Sequence, residues 1–116
     1  MSERAAIDLT PRQRAVLRDV FAPYADRFES VGVYGSRATG RARPGSDVDL
    51  VIYGSTDDQL VGSILTELED SDLDVFADVV AFECVKHAKL RQHIERDSLP
   101  LFAAAELIES RLRPAA

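Results

Sequence analysis

The stretch from Val31 to Ile52, VGVYGSRATGRARPGSDVDLVI, decides how this chain is read. Phe28 to Tyr34 alternates loosely, is rich in β-branched and aromatic residues and stops at Gly35, so it predicts a strand that runs into a tight turn. The next twelve residues, GSRATGRARPGS, contain three glycines, a proline and two serines. They are too polar for a core and long enough for one turn of helix followed by a loop. Asp47 to Tyr53, DVDLVIY, is then a second strand, entered through two acids.

Those acids point to chemistry. Side chains alternate along a strand, so Asp47 and Asp49 project from one face about 6 to 7 Å apart and repel each other. An oxygen-only pair of this charge suits magnesium, which binds one or two carboxylates and completes its shell with water and substrate phosphates. The phosphate half has its own signal. Gly35 lets backbone approach a ligand closely, and Ser36 offers a hydroxyl and an amide where the chain turns into a helix start. Between Gly35 and Ser46 there are three arginines, Arg37, Arg41 and Arg43, and no acid. Any of them can neutralise the β- and γ-phosphates of a nucleotide, and spacing leaves open which one turns inward; Arg37 is favoured because it adjoins Ser36. Gly35, Ser36, Arg37 and Ser46 are the expected nucleotide-binding set.

Working outward, Thr10-Pro11 is a helix start with a capping hydroxyl and proline in the first turn, followed by Val16, Leu17, Val20, Phe21 and Tyr24 at helical spacing. That predicts a helix over about 10–25. After the second strand, Gly54-Ser55-Thr56 is expected to cap a helix bearing Leu60, Val61, Ile64, Leu65 and Leu68. An acidic turn at 70–74 leads to a third strand, Val75 to Phe82, in which Asp78 is the odd residue. A carboxylate buried among apolar neighbours needs a partner, and a metal shared with Asp47 and Asp49 would be one; an edge-strand acid facing water is the alternative. If the third strand neighbours the second, the three acids converge, two metals can serve an in-line displacement, and Asp78 is placed to accept the proton of an attacking hydroxyl. Glu83 to Asp97 reads as a charged helix with Val85, Leu90 and Ile94 inward, and Leu99 to Phe102 as a short strand. The tail at 103–116 has weak helical character over Ala103 to Leu112 and a frayed Arg-Pro-Ala-Ala end. Tyr34 and Tyr53 read as core or rim residues, with stacking on a base as the alternative. His87 and His93 read as structural, and Cys84 with His87 supplies at most half a metal site.

The element order, αβαβαβ, describes one α+β domain of 116 residues with its core at about 10–102. At 46% hydrophobic and 29% charged residues the chain is expected to fold. No apolar run approaches a bilayer span, the opening MSERAAIDLTPRQR lacks signal-peptide order, and one cysteine fits a reducing compartment, so a cytoplasmic protein is expected. The net charge of −6 disfavours long polyanions, whereas one basic loop on an acidic body suits a small anionic ligand. Gly40 and Gly45 have P-loop spacing, but Ser46 stands where the lysine is needed and a strand follows instead of a helix.

With these residues assembled, the chain resembles the minimal nucleotidyltransferase (MNT) group of the DNA polymerase beta superfamily, which also includes kanamycin nucleotidyltransferase. VGVYGSRATGRARPGSDVDLVI is similar to the superfamily's GS-x10-DxD signature in its GSRA-x-G variant, FADVVAF to the strand with the third carboxylate, here Asp78, and LRQHIERDSLPLF to the closing helix and strand. The resemblance spans about Val31 to Phe102. It implies a mixed sheet of three to four strands flanked by helices, Asp47, Asp49 and Asp78 as catalytic metal ligands for Mg2+, attack on the α-phosphate of ATP or another NTP, and pyrophosphate as leaving group. Relatives acting on drugs or RNA carry an added acceptor domain, and none is expected within these 116 residues. Many members of the minimal group are antitoxins of HEPN-domain toxins, some by adenylylating a tyrosine (AMPylation). The resemblance therefore implies transfer of AMP to a hydroxyl of a HEPN-type partner, with a non-catalytic partner-binding module and an antibiotic nucleotidyltransferase as the alternatives.

Overall fold

The computed structural model describes residues 6–112; the expected fraying end at 113–116 lies outside the described residues, as do residues 1–5. The first helix, α1 (Pro11–Phe21), starts where capping chemistry puts it: Thr10 Oγ1 accepts from the Gln13 amide at 3.0 Å and Gln13 Oε1 accepts from the Thr10 amide at 2.9 Å. It ends four residues earlier than its apolar spacing suggests. Pro23 has no amide to continue the α ladder, and Ala22–Arg27 tightens into a 3-10 turn. Strand β1 (Ser30–Tyr34) follows, then the single-turn helix α2 (Ser36–Thr39), strand β2 (Val48–Tyr53) and helix α3 (Asp58–Glu69). The cap of α3 is Asp57, whose carboxylate accepts from the amides of Gln59 and Leu60, and not the Gly54-Ser55-Thr56 triplet. A carboxylate facing free amides is the stronger cap.

Strand β3 (Ala77–Ala81) is shorter than its apolar run, and the segment after it also departs from expectation. Phe82–Cys84 is a 3-10 turn and α4 begins only at Ala88, running to Asp97. Arg91 holds this corner by donating to the carbonyls of Phe82 at 2.9 Å and Val85 at 3.0 Å. Strand β4 (Leu99–Ala103) and helix α5 (Ala104–Leu112) complete the order. The tail is not peripheral: Leu107 of α5 is buried in the main core.

The sheet order is β3-β2-β1-β4. β1 is antiparallel to β2 and β4, while β2 and β3 are parallel and joined through α3, so the sheet is mixed and the fold is α+β. Period-two alternation divides the strands between two faces. Val31, Val33, Val48, Leu50, Ile52 and Val79 join Leu17 and Phe21 of α1, Leu60 and Ile64 of α3 and Leu107 of α5 in the main core. The opposite face carries a smaller cluster of Tyr34, Val51 and Ile94, flanked by Tyr53, Val80, Phe82, Val85 and Leu90 and covered by α4.

Candidate active site

Register puts the acids together. In the parallel pair β2–β3, Asp49 lies opposite Asp78, and residues so paired project from the same face. Asp49 and Val51 share one side of β2 as Asp78 and Val80 share one side of β3, so both carboxylates stand on the α4 face, one strand spacing of about 4.8 Å apart. Asp47, two residues before Asp49, adds charge from the strand entrance. Burial first, then the charges of Asp78 and Asp47, push the Asp49 carboxyl above its ordinary range, against a smaller opposite pull from His93. Tyr34, opposite Asp49 on β1, has its phenol pushed up to about 12 by burial and by Asp49 and Asp78. The electrostatics thus report one concentrated negative site shared by three strands.

Two expectations need restating. Asp78 is exposed, because β3 is the edge of the sheet, so burial does not demand a partner for it. What it faces is Asp49. Nor do the acids form a closed cage: among the described residues no three His, Cys, Asp or Glu side chains are gathered closely enough to hold a metal ion. Magnesium needs no such cage, since phosphate and water supply most of its ligands. The donors are oxygens only, their mutual repulsion is offset only in small part by His93, and among the described residues no side-chain hydrogen bond or ion pair engages Asp47, Asp49 or Asp78, so the set fits a hard divalent cation.

Gly35 fixes the second half of the site beside the first. Its φ of 73° belongs to the region glycine favours, and a Cβ there would overlap Asp49 Oδ2. The turn into α2 therefore presses against the carboxylate with no side chain between. Beyond it opens a cleft of about 480 Å3 lined by Gly35, Ser36, Thr39, Arg41, His93, Arg96 and Asp97. The amides of Ala38 and Thr39 in α2 already donate to the Gly35 carbonyl, at 3.0 and 3.2 Å, so of its first turn only the amides of Ser36 and Arg37 are left for an anion in this cleft.

Arg37, the favoured phosphate ligand in sequence, is directed elsewhere. It is 5% exposed, donates to the Ser46 carbonyl at 3.1 and 2.8 Å and to the Asp8 carbonyl at 2.8 Å, and accepts back from the Asp8 amide. It is a brace that ties the loop to the segment before α1. Ser46 belongs to the same brace, and its hydroxyl accepts from the Arg43 amide at 2.8 Å. Of the expected nucleotide-binding set, Gly35 and Ser36 face the cleft, whereas Arg37 and Ser46 shape the loop that brings Arg41 to it. On the sequence pattern His93 reads as structural and Arg96 and Asp97 carry no signal, yet all three line the cleft. Their i, i+3, i+4 spacing shows one polar face of a helix, but nothing local says that this face meets the glycine-serine turn.

The molecule is thus an α+β domain whose mixed sheet sets in-register carboxylates beside a glycine-serine turn and a cleft carrying two arginines. Residues 17–107 match the family Polymerase beta, Nucleotidyltransferase, and the chain belongs to that family. In fold it is similar to a crystal structure of a toxin-antitoxin with AMP-PNP, at 16% identity over 84% of this chain and 86% of that chain with a TM-score of 0.64. It is likewise similar to the MntA-HepT toxin-antitoxin, at 13% identity over 88% of this chain and 86% of that one with a TM-score of 0.60. A structure described as a minimal nucleotidyltransferase aligns at 27% identity over 77% of this chain and 89% of that chain, with a TM-score of 0.56. No curated protein matches the chain in sequence. Among the described residues no helix is long and apolar enough to cross a membrane.

Proposed function

We propose that this protein is a magnesium-dependent adenylyltransferase that moves AMP from ATP to a hydroxyl of a HEPN-type partner protein, acting as the antitoxin of a toxin-antitoxin pair in the cytoplasm. The observation that carries the reading is the pairing of Asp49 with Asp78 on one sheet face, hard against the Gly35 turn. Support for the nucleotide and the partner comes from family membership and from fold neighbours that are toxin-antitoxin complexes, one of them with AMP-PNP.

Phosphoryl-type transfer is mainly positioning and charge neutralisation. Asp47 and Asp49 would hold the magnesium, with Asp78 as the third ligand; when bound, the ion neutralises charge on the phosphates. The glycine-serine turn orients the triphosphate through backbone amides and the Ser36 hydroxyl. The acceptor oxygen forms a bond to the α-phosphorus as the bond to the β-phosphate bridging oxygen breaks, and pyrophosphate departs. Exposed at the sheet edge, Asp78 is open to an acceptor arriving on another protein and takes the hydroxyl proton. The phenol of Tyr34 walls the site from the β1 side.

The test is incubation of the chain and its HEPN partner with α-labelled ATP and magnesium. Label should appear on the partner, and be lost with Asp47→Asn and Asp49→Asn variants that still bind it. A wild-type pair that binds but acquires no label removes the enzymatic reading. Toxin neutralisation that persists with the Asn variants would identify a non-catalytic binding module instead.

A further inference from the structure

The face of α4 turned toward Ser36 carries a cluster that the transfer chemistry does not use. Asp97 is a partly buried carboxylate, its side chain 15% exposed, with Arg96 and His93 against it. Arg96 grips it with two parallel bonds, Nε to Oδ1 and Nη2 to Oδ2, both at 3.0 Å. His93 Nε2 stands 3.5 Å from Oδ2, and the same Arg96 Nη2 reaches His93 Nδ1 at 3.0 Å. Arg41, from the glycine-rich loop, adds its field from across the cleft, so that Asp97 is held below the usual carboxylate range, chiefly by Arg96 and further by His93 and Arg41. All four side chains line the 480 Å3 cleft that begins at Gly35 and Ser36.

A carboxylate gripped by Arg96, with His93 beside it and Arg41 across the same cleft, is itself an anion sitting in an anion site. Its hold is exchangeable, because the Arg96 side chain is 69% exposed and Asp97 is its immediate neighbour in sequence, so neither group is locked by the core. An arginine fork that fits a carboxylate fits two oxygens of a phosphate equally well.

We propose that Arg41, His93 and Arg96 form a clamp for a polyphosphate, with Asp97 as its resting anion, and that binding transfers the Arg96 fork from Asp97 to the ligand. The inference rests on the nucleotidyltransferase reading for its direction: the β- and γ-phosphates enter here, and pyrophosphate leaves from here. Arg96 is then a positioning residue, and Asp97 lowers affinity for both ligands. By repossessing Arg96 when the phosphates depart, Asp97 assists product release.

The clamp is tested by calorimetric titration of the full chain with three magnesium-equilibrated probes: ATP, pyrophosphate and AMP. Arg96→Gln should weaken ATP and pyrophosphate about tenfold, the scale of one charge-assisted pair at an exposed site, and leave AMP unchanged. Asp97→Asn should tighten ATP and pyrophosphate by about threefold, as expected for loss of an exposed competing ion pair. Arg41→Gln gives an independent second loss, and thermal unfolding checks that each variant folds. Equal effects on AMP and ATP, no loss with Arg96→Gln, or weaker binding with Asp97→Asn would each overturn the clamp, as would wild-type protein that binds neither polyphosphate. Failure of AMP transfer in the presence of clamp-dependent pyrophosphate binding would refute the activity and leave the clamp standing.

Discussion

Replacing Asp49 by Asn should make the metal-free protein more stable while removing its function. Asp49 and Asp78 face each other across one strand spacing, about 5 Å. Two unit charges at that distance repel by about 3 kcal/mol at an effective dielectric of 20, and by about 0.8 kcal/mol in bulk water. Asp78 is exposed, which places the interaction toward the aqueous end, near 1 kcal/mol once screening is included. For a domain of this size that is about 4 °C in unfolding midpoint. The assay is thermal unfolding by circular dichroism in the presence of a chelator, at neutral pH. The sign also fixes the pH dependence. Because the folded carboxyl is raised above its ordinary 3.8, the destabilisation is complete above the raised value and is relieved as pH falls through it, since the folded protein then takes up a proton before the unfolded chain does. The gap between variant and wild type should narrow across that interval and close at the ordinary aspartate value. Adding magnesium and nucleotide should reverse the order, because only the wild type gains stability from binding. A metal-free Asp49→Asn protein that melts at or below the wild-type midpoint would refute the electrostatic account.

Other consequences are more local. Arg37→Met should lower unfolding free energy in urea by about 2 to 3 kcal/mol, because it removes the charge-assisted hydrogen bonds of a buried guanidinium to the carbonyls of Ser46 and Asp8; an unchanged midpoint would return Arg37 to the cleft. Gly35→Ala should cost about 1 to 3 kcal/mol from its glycine-only backbone conformation and displace Asp49 Oδ2, so nucleotide-dependent stabilisation should vanish even where the protein still folds. Thr10→Ala removes the capping box of α1 and should lower the melting midpoint by about 4 °C, equivalent to roughly 1 kcal/mol, with no change in nucleotide affinity.

The sequence by itself determined most of the elements and which residues are candidates for chemistry. Period-two alternation around Val31–Val33 and Val48–Ile52, the cap at Thr10 and the apolar spacing of Leu60, Ile64 and Leu68 are local signals, and local sterics and burial made them visible. Gly35, Ser36, Asp47, Asp49 and Asp78 were likewise legible as candidates, because acids set among apolar strand residues and a glycine between a strand and a helix start stand out in the pattern. Tertiary structure alone decided which of these residues meet. The parallel register that sets Asp78 against Asp49, the edge position that exposes it, the turning of Arg37 inward to distant carbonyls, and the approach of His93, Arg96 and Asp97 to the Gly35 turn all join segments far apart in the chain. Such contacts are fixed by how helices cover the two sheet faces. Spacing along the chain records which way a side chain leaves its own strand or helix, but not what another segment will bring to it.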